Sequence, residues 1–189
     1  DVLHVVAFRD ELQASTSQWQ KFGVFSKVNF DATETRYAVL GIGGVGADNL
    51  VAELGFSVPA VDGQLSWHND AALLRLAAEH YLLVLPQAAA QQLMQSSLPF
   101  AAPTLWLKAH ILQGFAYLEQ PLIGELVPQM LNLQAINAIS FTKGCYVGQE
   151  TVARLKYRGG NKRAAYILQA NTTELPVAGS DIELQLENN

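Results

Sequence analysis

The chain has 189 residues, half of them hydrophobic, and carries a net charge of −5. This length and composition predict a folded protein of one large or two unequal domains. No apolar run approaches the roughly 18 residues that a membrane-spanning helix needs, and the single cysteine, Cys145, excludes an internal disulfide. Nothing resembles a signal peptide, so we expect a cytoplasmic protein without a membrane partner.

Hydrophobic periodicity predicts strands and helices that follow one another in an α+β order. The expected strands are 3–8, 24–30, 37–42 and a hairpin of 73–77 with 81–85, and the expected helices are 10–22, 47–54, 87–95 and 104–113. A turn is expected at 31–34, and Pro86 suits the entry to a helix. Two successive β-α-β-β-like units indicate antiparallel or mixed sheets with helices on one face, which is a ferredoxin-like pattern.

The segment after Gly159 and Gly160 is expected to form a separate unit. Alternating residues predict strands at 163–169 and 181–186, and the last of these has no neighbour to pair with. Because bare edge strands are a liability in native proteins, we interpret the chain as an internal piece of a longer protein. A domain boundary is expected near Gly159.

A glycine-rich run at 41–46 matches the G-x-G-x-x-G fingerprint of dinucleotide-binding proteins, and Asp62 lies where a ribose-binding acid is expected. Pro59 argues against this function, because the buried parallel strand that the motif requires does not accommodate proline. We therefore favour a plain turn from a strand to a helix.

Four histidines are scattered along the chain at positions 4, 68, 80 and 110. None of them has a ligand-like spacing to another histidine or to an acid, so no metal site is expected. We assign structural roles to all four. The spacing of serine, histidine and aspartate does not suggest a hydrolase either.

Residues 143–163 form a basic segment in an otherwise acidic chain. They contain six lysine or arginine residues against one acid, Glu150, which gives a charge of +5, so the other 168 residues carry −10. Such a cluster attracts phosphate, carboxylate or nucleic acid, although a surface cluster of this kind is as often simply solvated.

The run 143–150, with the sequence KGCYVGQE, places Cys145 between two glycines and ahead of a helix start expected at Gln149. Glycines let the backbone turn tightly and come close to a ligand. A thiol near a helix N-terminus and beside Lys143 is expected to favour the reactive thiolate. The alternative is that Cys145 is a small buried hydrophobe.

The run continues through TVARLKYRG to NKR at Arg163, and over this length it resembles the signature of the YgfZ family. The segments 128–134 (PQMLNLQ), 139–141 (ISF) and 24–28 (VFSKV) also fit, so the likeness covers nearly the whole chain. Members of the family are folate-binding, tRNA-modifying proteins related to the T-protein, the aminomethyltransferase of glycine cleavage. T-proteins usually lack a cysteine at this turn, so Cys145 favours the YgfZ branch.

The resemblance implies a T-protein-like fold, in which a folate-binding α+β domain of ferredoxin-like repeats at 1–158 is followed by the first strands of a small β-barrel at 159–189. The family's N-terminal portion and most of the barrel are then expected to lie outside this chain. The implied function is a folate-binding accessory protein that supports iron–sulfur-dependent tRNA methylthiolation. The alternative is an aminomethyltransferase-like enzyme that uses tetrahydrofolate in one-carbon transfer.

The resemblance also implies the site residues. Lys143 and Cys145 match the signature lysine and cysteine and are the candidates for chemistry. The implied contacts to tetrahydrofolate or a derivative are Trp106, Gln113, Tyr146, Gln149, Glu150, Arg154 and Arg158. The indole of Trp106 suits a pterin or aminobenzoyl ring. An iron–sulfur tRNA-modifying enzyme or tRNA is the partner expected at 154–163, and no DNA is expected.

One departure from the family concerns the pterin. Relatives carry Glu-Ala-Gly where this chain has Leu112-Gln113-Gly114, and a leucine cannot accept hydrogen bonds from the pterin N–H groups. Folate binding then depends on Gln113 or Glu119. A single cysteine also cannot hold an iron–sulfur cluster, which needs about four protein ligands, so an assisting role is expected for Cys145.

Overall fold

The structure is a computed structural model that describes residues 2–31, 36–172 and 174–183. The chain divides into two compact units. The sheet unit comprises Thr33–Gln113, and the α5 unit comprises Asp1–Ala32 together with Gly114–Asn189. The domain boundary expected near Gly159 stays a prediction.

The described residues form a mixed α and β structure, in agreement with the α+β class. In chain order the elements are α1 (Arg9–Phe22), β1 (Tyr37–Gly43), α2 (Ala47–Glu53), β2 (Leu65–His68), β3 (Ala71–Ala77), β4 (His80–Pro86), α3 (Gln87–Met94), α4 (Pro103–Leu112) and α5 (Gln149–Arg158). Two short 3-10 turns, Gln120–Leu122 and Pro128–Leu131, lie between α4 and α5.

The four strands form one antiparallel sheet in the order β1-β4-β3-β2. The pairing sets Gly41 opposite Leu82 and Gly43 opposite His80. A dinucleotide-binding unit needs a parallel neighbour for the strand before its glycines. Because β1 pairs antiparallel with β4, the run 41–46 is a turn from strand to helix, as the sequence indicated.

One face of the sheet carries the hydrophobic core. Alternate residues of β1 and β4 point to this face and are buried there, and α2 and α3 cover them. The buried set is Ile42, Ala47, Val51, Phe56, Leu73, Tyr81, Leu83, Leu85 and Ala90. The Tyr81 hydroxyl donates a hydrogen bond of 2.5 Å to Asp48 Oδ1, so the one polar atom of this fully buried ring has a partner on α2. Burial and this bond raise the pKa of Tyr81 to about 12.

The opposite face of the sheet receives α4, so the expectation of helices on one face only is wrong. Gly41 alternates with the buried Ile42 and faces away from the core. A Cβ on Gly41 would lie 2.2 Å from Trp106 Cε3. Because Gly41 has no side chain, the indole of Trp106 on α4 can occupy this space.

Three expected strands are wrong. The segments 3–8, 24–30 and 163–169 form no strand, and they leave large apolar side chains such as Leu3 and Phe25 exposed. Alternating residues indicate a strand only when a neighbouring strand pairs with them, and no pairing forms here. Residues 181–183 are not in a strand either, whereas 184–186 and most of the expected turn at 31–34 lie outside the described residues.

One strand was missed. The strand β2 has only four residues and lies at the edge of the sheet with most of its side chains exposed, so its brief alternation of apolar and polar residues gives little signal.

In the α5 unit, α1 is fastened at its N-terminal end. Glu11 Oε1 accepts a hydrogen bond of 3.0 Å from the backbone N–H of Leu118. The rings of Phe8 and Tyr117 pack with their centroids 4.5 Å apart. These contacts join residues about a hundred positions apart in the chain.

We expect Gly41→Ala to destabilise the protein by about 1–3 kcal/mol, because the new methyl group overlaps the indole of Trp106. Gly43→Ala is the matched control on the same strand, since its Cβ would lie 3.3 Å from His80 Nδ1 and needs only a small adjustment. Urea unfolding measures both changes. When Gly41→Ala is combined with Trp106→Ala, its effect on the free energy of unfolding should largely disappear. An effect of the same size with and without Trp106 would contradict the contact between the two residues.

Candidate functional site

The signature run 143–150 forms a turn that leads into α5. Gly148 precedes the helix with φ 87°, a left-handed conformation that glycine adopts without steric cost. The backbone N–H of Gln149 donates to Tyr146 O at 3.2 Å and closes the turn. The helix start expected at Gln149 is therefore confirmed.

Cys145 lies on this turn and is a free, exposed cysteine. The alternative that it is a small buried hydrophobe is therefore wrong. The neighbouring Gly144 leaves open space, since no described atom lies within 4 Å of where its Cβ would be. The turn thus presents the thiol to molecules from solution, and the reactivity of that thiol stays a prediction.

Two lysines of the cysteine turn and α5 lie over aromatic rings. Lys143 Nζ is 4.8 Å from the ring centroid of Tyr146, and Lys156 Nζ is 5.1 Å from that of Phe141. The Phe141 ring meets Tyr157 edge to face, with centroids 6.4 Å apart. Such cation–π pairs contribute about 0.5–1 kcal/mol at exposed sites. The first of these pairs joins the signature lysine to Tyr146 within the turn that carries Cys145.

Helix α5 has one buried side and one exposed side. Val152 is buried, whereas Arg154 and Arg158 are exposed and lie one helical turn apart. Glu150 is exposed and Gln149 is half-buried in the first turn. The structure therefore brings seven of the expected site residues into one turn and helix, namely Lys143, Cys145, Tyr146, Gln149, Glu150, Arg154 and Arg158.

Gln129 is the residue that fastens α5, and sequence reasoning missed its role. It is only 4 % exposed, and its Nε2 donates a hydrogen bond of 2.7 Å to Val152 O in the middle of the helix. Its own backbone carbonyl accepts a bond of 3.1 Å from Asn161 Nδ2 beyond the helix. Asn132 adds a bond of 2.8 Å from its Nδ2 to Ala165 O. One short 3-10 turn therefore holds both α5 and the chain that follows it.

The other two expected folate contacts, Trp106 and Gln113, belong to the sheet unit. Trp106 is half-buried in the first half of α4, and Gln113 is exposed at the end of that helix. The backbone N–H of Gln113 donates to the carbonyls of Ala109 and His110 at the end of the helix. Glu119, the other candidate acceptor, is exposed in the α5 unit.

Trp106 stacks on His80. Their ring centroids lie 4.2 Å apart with only 13° between the planes, so the imidazole covers one face of the indole. His110, one turn further along α4, places Nδ1 at 3.3 Å from His80 Nε2.

Burial lowers the pKa of His80 and, together with repulsion from His80, lowers the pKa of His110 to about 4. The two imidazoles are thus held neutral at neutral pH. The sequence offered no signal for this cluster, because the two histidines are 30 residues apart. The structural role assigned to them agrees with their packing against Trp106.

Among residues 2–31, 36–172 and 174–183, no group of three or more histidine, cysteine, aspartate or glutamate side chains is arranged to hold a metal ion. Within the same ranges, no helix has the length and apolar character required to cross a membrane.

The chain is similar to known proteins from Yersinia. It is 39 % identical over 186 residues to a protein named tRNA-modifying protein YgfZ from Yersinia pseudotuberculosis serotype O:1b. Proteins of the same name from Yersinia pestis (strain Pestoides F) and Yersinia enterocolitica serotype O:8 match with the same identity and length. No protein-family model matches the chain.

The relatives thus define a class of proteins that carry tRNA modification in their name. The match covers 96 % of this chain, including the cysteine turn, α5 and the sheet unit. The chain belongs to the YgfZ family. It spans little more than half, 56 %, of the length of the relatives that it matches.

We expect the sheet unit to lose stability as the pH falls from about 6.5 towards 4. In this window the unfolded histidine binds a proton, whereas folded His110, with its pKa lowered to about 4, does not. The unfolded state binds more protons, so unfolding becomes easier as the pH is lowered. His110→Asn should flatten the dependence of the melting temperature on pH.

The matched control is His68→Asn, at an exposed position of β2. This variant should show the same dependence of the melting temperature on pH as the unchanged protein. That dependence includes the loss of stability caused in both proteins by protonation of carboxylates. If the profiles of the two variants coincide, the neutral histidine pair does not contribute to acid sensitivity.

Proposed function

We propose that the protein is a folate-binding accessory protein that supports tRNA modification, specifically methylthiolation by an iron–sulfur enzyme. The observation that carries the proposal is the exposed Cys145 in the KGCYVGQE turn, with Lys143 held beside it on Tyr146. The names of the relatives, which are tRNA-modifying proteins, support the same role. A cytoplasmic location is part of this proposal.

The types of residue present are suitable for binding a folate. Trp106 is a half-buried indole stacked on His80, and an indole is suited to pack against an aromatic ring of the cofactor. The exposed amide of Gln113 offers an oxygen to pterin N–H groups in place of the family's glutamate. In the α5 unit, taken by itself, Arg154 and Arg158 are two exposed cations one helical turn apart, and such cations bind anionic groups.

The proposal includes a T-protein-like arrangement, in which ferredoxin-like repeats bind the folate and residues 159–189 begin a small barrel. Its support is the sheet unit with its antiparallel strands and the family membership of the chain. The iron–sulfur cluster belongs to the partner enzyme, because one cysteine does not supply the roughly four ligands that a cluster needs. Cys145 then acts on the partner or on its substrate.

Tetrahydrofolate should quench the tryptophan fluorescence of the full-length protein, because the ring of the cofactor stacks on an indole. In Trp106→Phe most of this quenching should be lost. Trp67→Phe is the matched control, since Trp67 is 67 % exposed on the edge strand β2 and should leave the titration unchanged. Quenching that persists in Trp106→Phe would remove this residue from the folate site, and no quenching at all would remove folate.

Cys145→Ser in the full-length protein should abolish the support of tRNA methylthiolation in a cell that lacks the native copy. The hydroxyl keeps the size of the thiol but not its nucleophilicity. Thr142→Ala, at an exposed position directly before this turn, is the matched control and should restore methylthiolation fully. The measurement is the methylthiolated fraction of the tRNA nucleosides; an unchanged fraction in Cys145→Ser would overturn the role of the thiol.

A further inference from the structure

The cysteine turn and α5 together carry an aromatic–basic surface, defined by Phe141, Lys143, Tyr146, Arg154, Lys156, Tyr157 and Arg158. All seven belong to the α5 unit, and all except the half-buried Phe141 are exposed. Its two ring–lysine pairs alternate aromatic faces with positive charge along the surface.

Tyr157 is the most prominent ring of this surface. Tyr157 lies on the side of α5 away from the buried Val152, and it follows Arg154 by three residues, which is the spacing of neighbours on a helix surface. The residue is 72 % exposed, although its ring meets Phe141 with centroids 6.4 Å apart. Phe141 is itself held by Lys156 at 5.1 Å. Tyr157 is thus a supported ring with most of its surface in solvent.

The charge distribution favours a polyanion at this surface. Residues 143–163 carry six cations and one acid, a charge of +5, whereas the remainder of the chain carries −10. An anionic partner is attracted to this segment and repelled elsewhere, which orients it before contact. This field acts on phosphates and carboxylates alike, so the kind of partner must follow from the aromatic groups.

We infer that this surface binds the unpaired loop of an RNA, with a base stacked on Tyr157 and the neighbouring phosphates on Arg154 and Arg158. Single-stranded nucleic acids alternate flat bases with phosphates, and proteins meet them with aromatic rings set among cations. A paired duplex offers phosphates but keeps its base faces stacked inside. An acidic peptide would use the cations and leave the exposed ring without a partner.

The inference deepens the proposed function and rests on it, because tRNA is the substrate of the reaction that the protein is proposed to support. It places the loop of the RNA on the helix that follows the turn with the exposed Cys145. The protein is inferred to recognise any unpaired base by stacking. The affinity should therefore not depend on the nucleotide sequence of the loop.

The test measures binding of the full-length protein to a fluorescein-labelled RNA hairpin with an unpaired loop, by fluorescence anisotropy. Tyr157→Ala should weaken binding about five-fold or more, because one base no longer has a ring to stack on. Tyr157→Phe keeps the ring and should keep the affinity. The matched control is Tyr166→Ala, which removes a ring that is 82 % exposed but lies beyond α5 and outside this surface.

Salt dependence separates stacking from phosphate binding. The slope of log affinity against log salt should fall by about 0.7 for each phosphate that is no longer neutralised in Arg154→Gln and Arg158→Gln. Tyr157→Ala should leave this slope unchanged. A labelled duplex of equal length should bind more weakly than the hairpin, with no response to Tyr157→Ala. Equal affinities of Tyr157→Ala and Tyr166→Ala for the hairpin, or of the protein for the two RNAs, would overturn the inference.

The proposed function can fail separately. If the hairpin does not bind but Cys145→Ser still abolishes methylthiolation, the RNA surface is wrong and the proposed function stands. If the hairpin binds as expected but Cys145→Ser restores methylthiolation, the surface stands as a site for unpaired RNA and the role of the thiol falls. Circular dichroism of Tyr157→Ala excludes loss of folding as the cause of weaker binding.

Discussion

The antiparallel pairing of β1 with β4 is the constraint on which the sheet unit depends. It sets Ile42 opposite Tyr81 on the core face and Gly43 opposite His80 on the other face. The first pair lies in the core under α2 and α3, and on the other face Trp106 packs against Gly41 and stacks on His80. A shift of the pairing by one residue would exchange the two faces and lose both arrangements.

The α5 unit relies on polar contacts more than on a large core. Val152 is the only buried hydrophobic residue among its described positions, and the carbonyl of that residue receives the amide of Gln129. Buried amides are costly unless they are bonded, so this contact favours one placement of α5 over others. The position of the cysteine turn depends on the position of α5, because the turn leads directly into the helix.

Much of the fold follows from local sequence signals. The helices α1 to α5, the strand β1 and the β3–β4 hairpin all have clear periodicity or proline and glycine at their ends, and these were predicted. The errors at 3–8, 24–30 and 163–169 arose because alternation without a partner does not make a strand. For the site, the run 143–158 could be found by resemblance, whereas Gln129 and the His80–His110 pair depend on contacts between distant residues.

Helix α5 is bounded by two glycines with positive φ, Gly148 at 87° and Gly159 at 70°. Side chains other than glycine rarely adopt this backbone, so the helix can neither grow nor slide by a residue at either end. One inserted residue would turn everything beyond it by about 100° and carry Tyr157 and the arginines to another side. The number of residues in α5 therefore fixes the position of Tyr157 and the arginines relative to Cys145. An insertion or deletion in α5 should disturb this arrangement more than most single substitutions of its side chains.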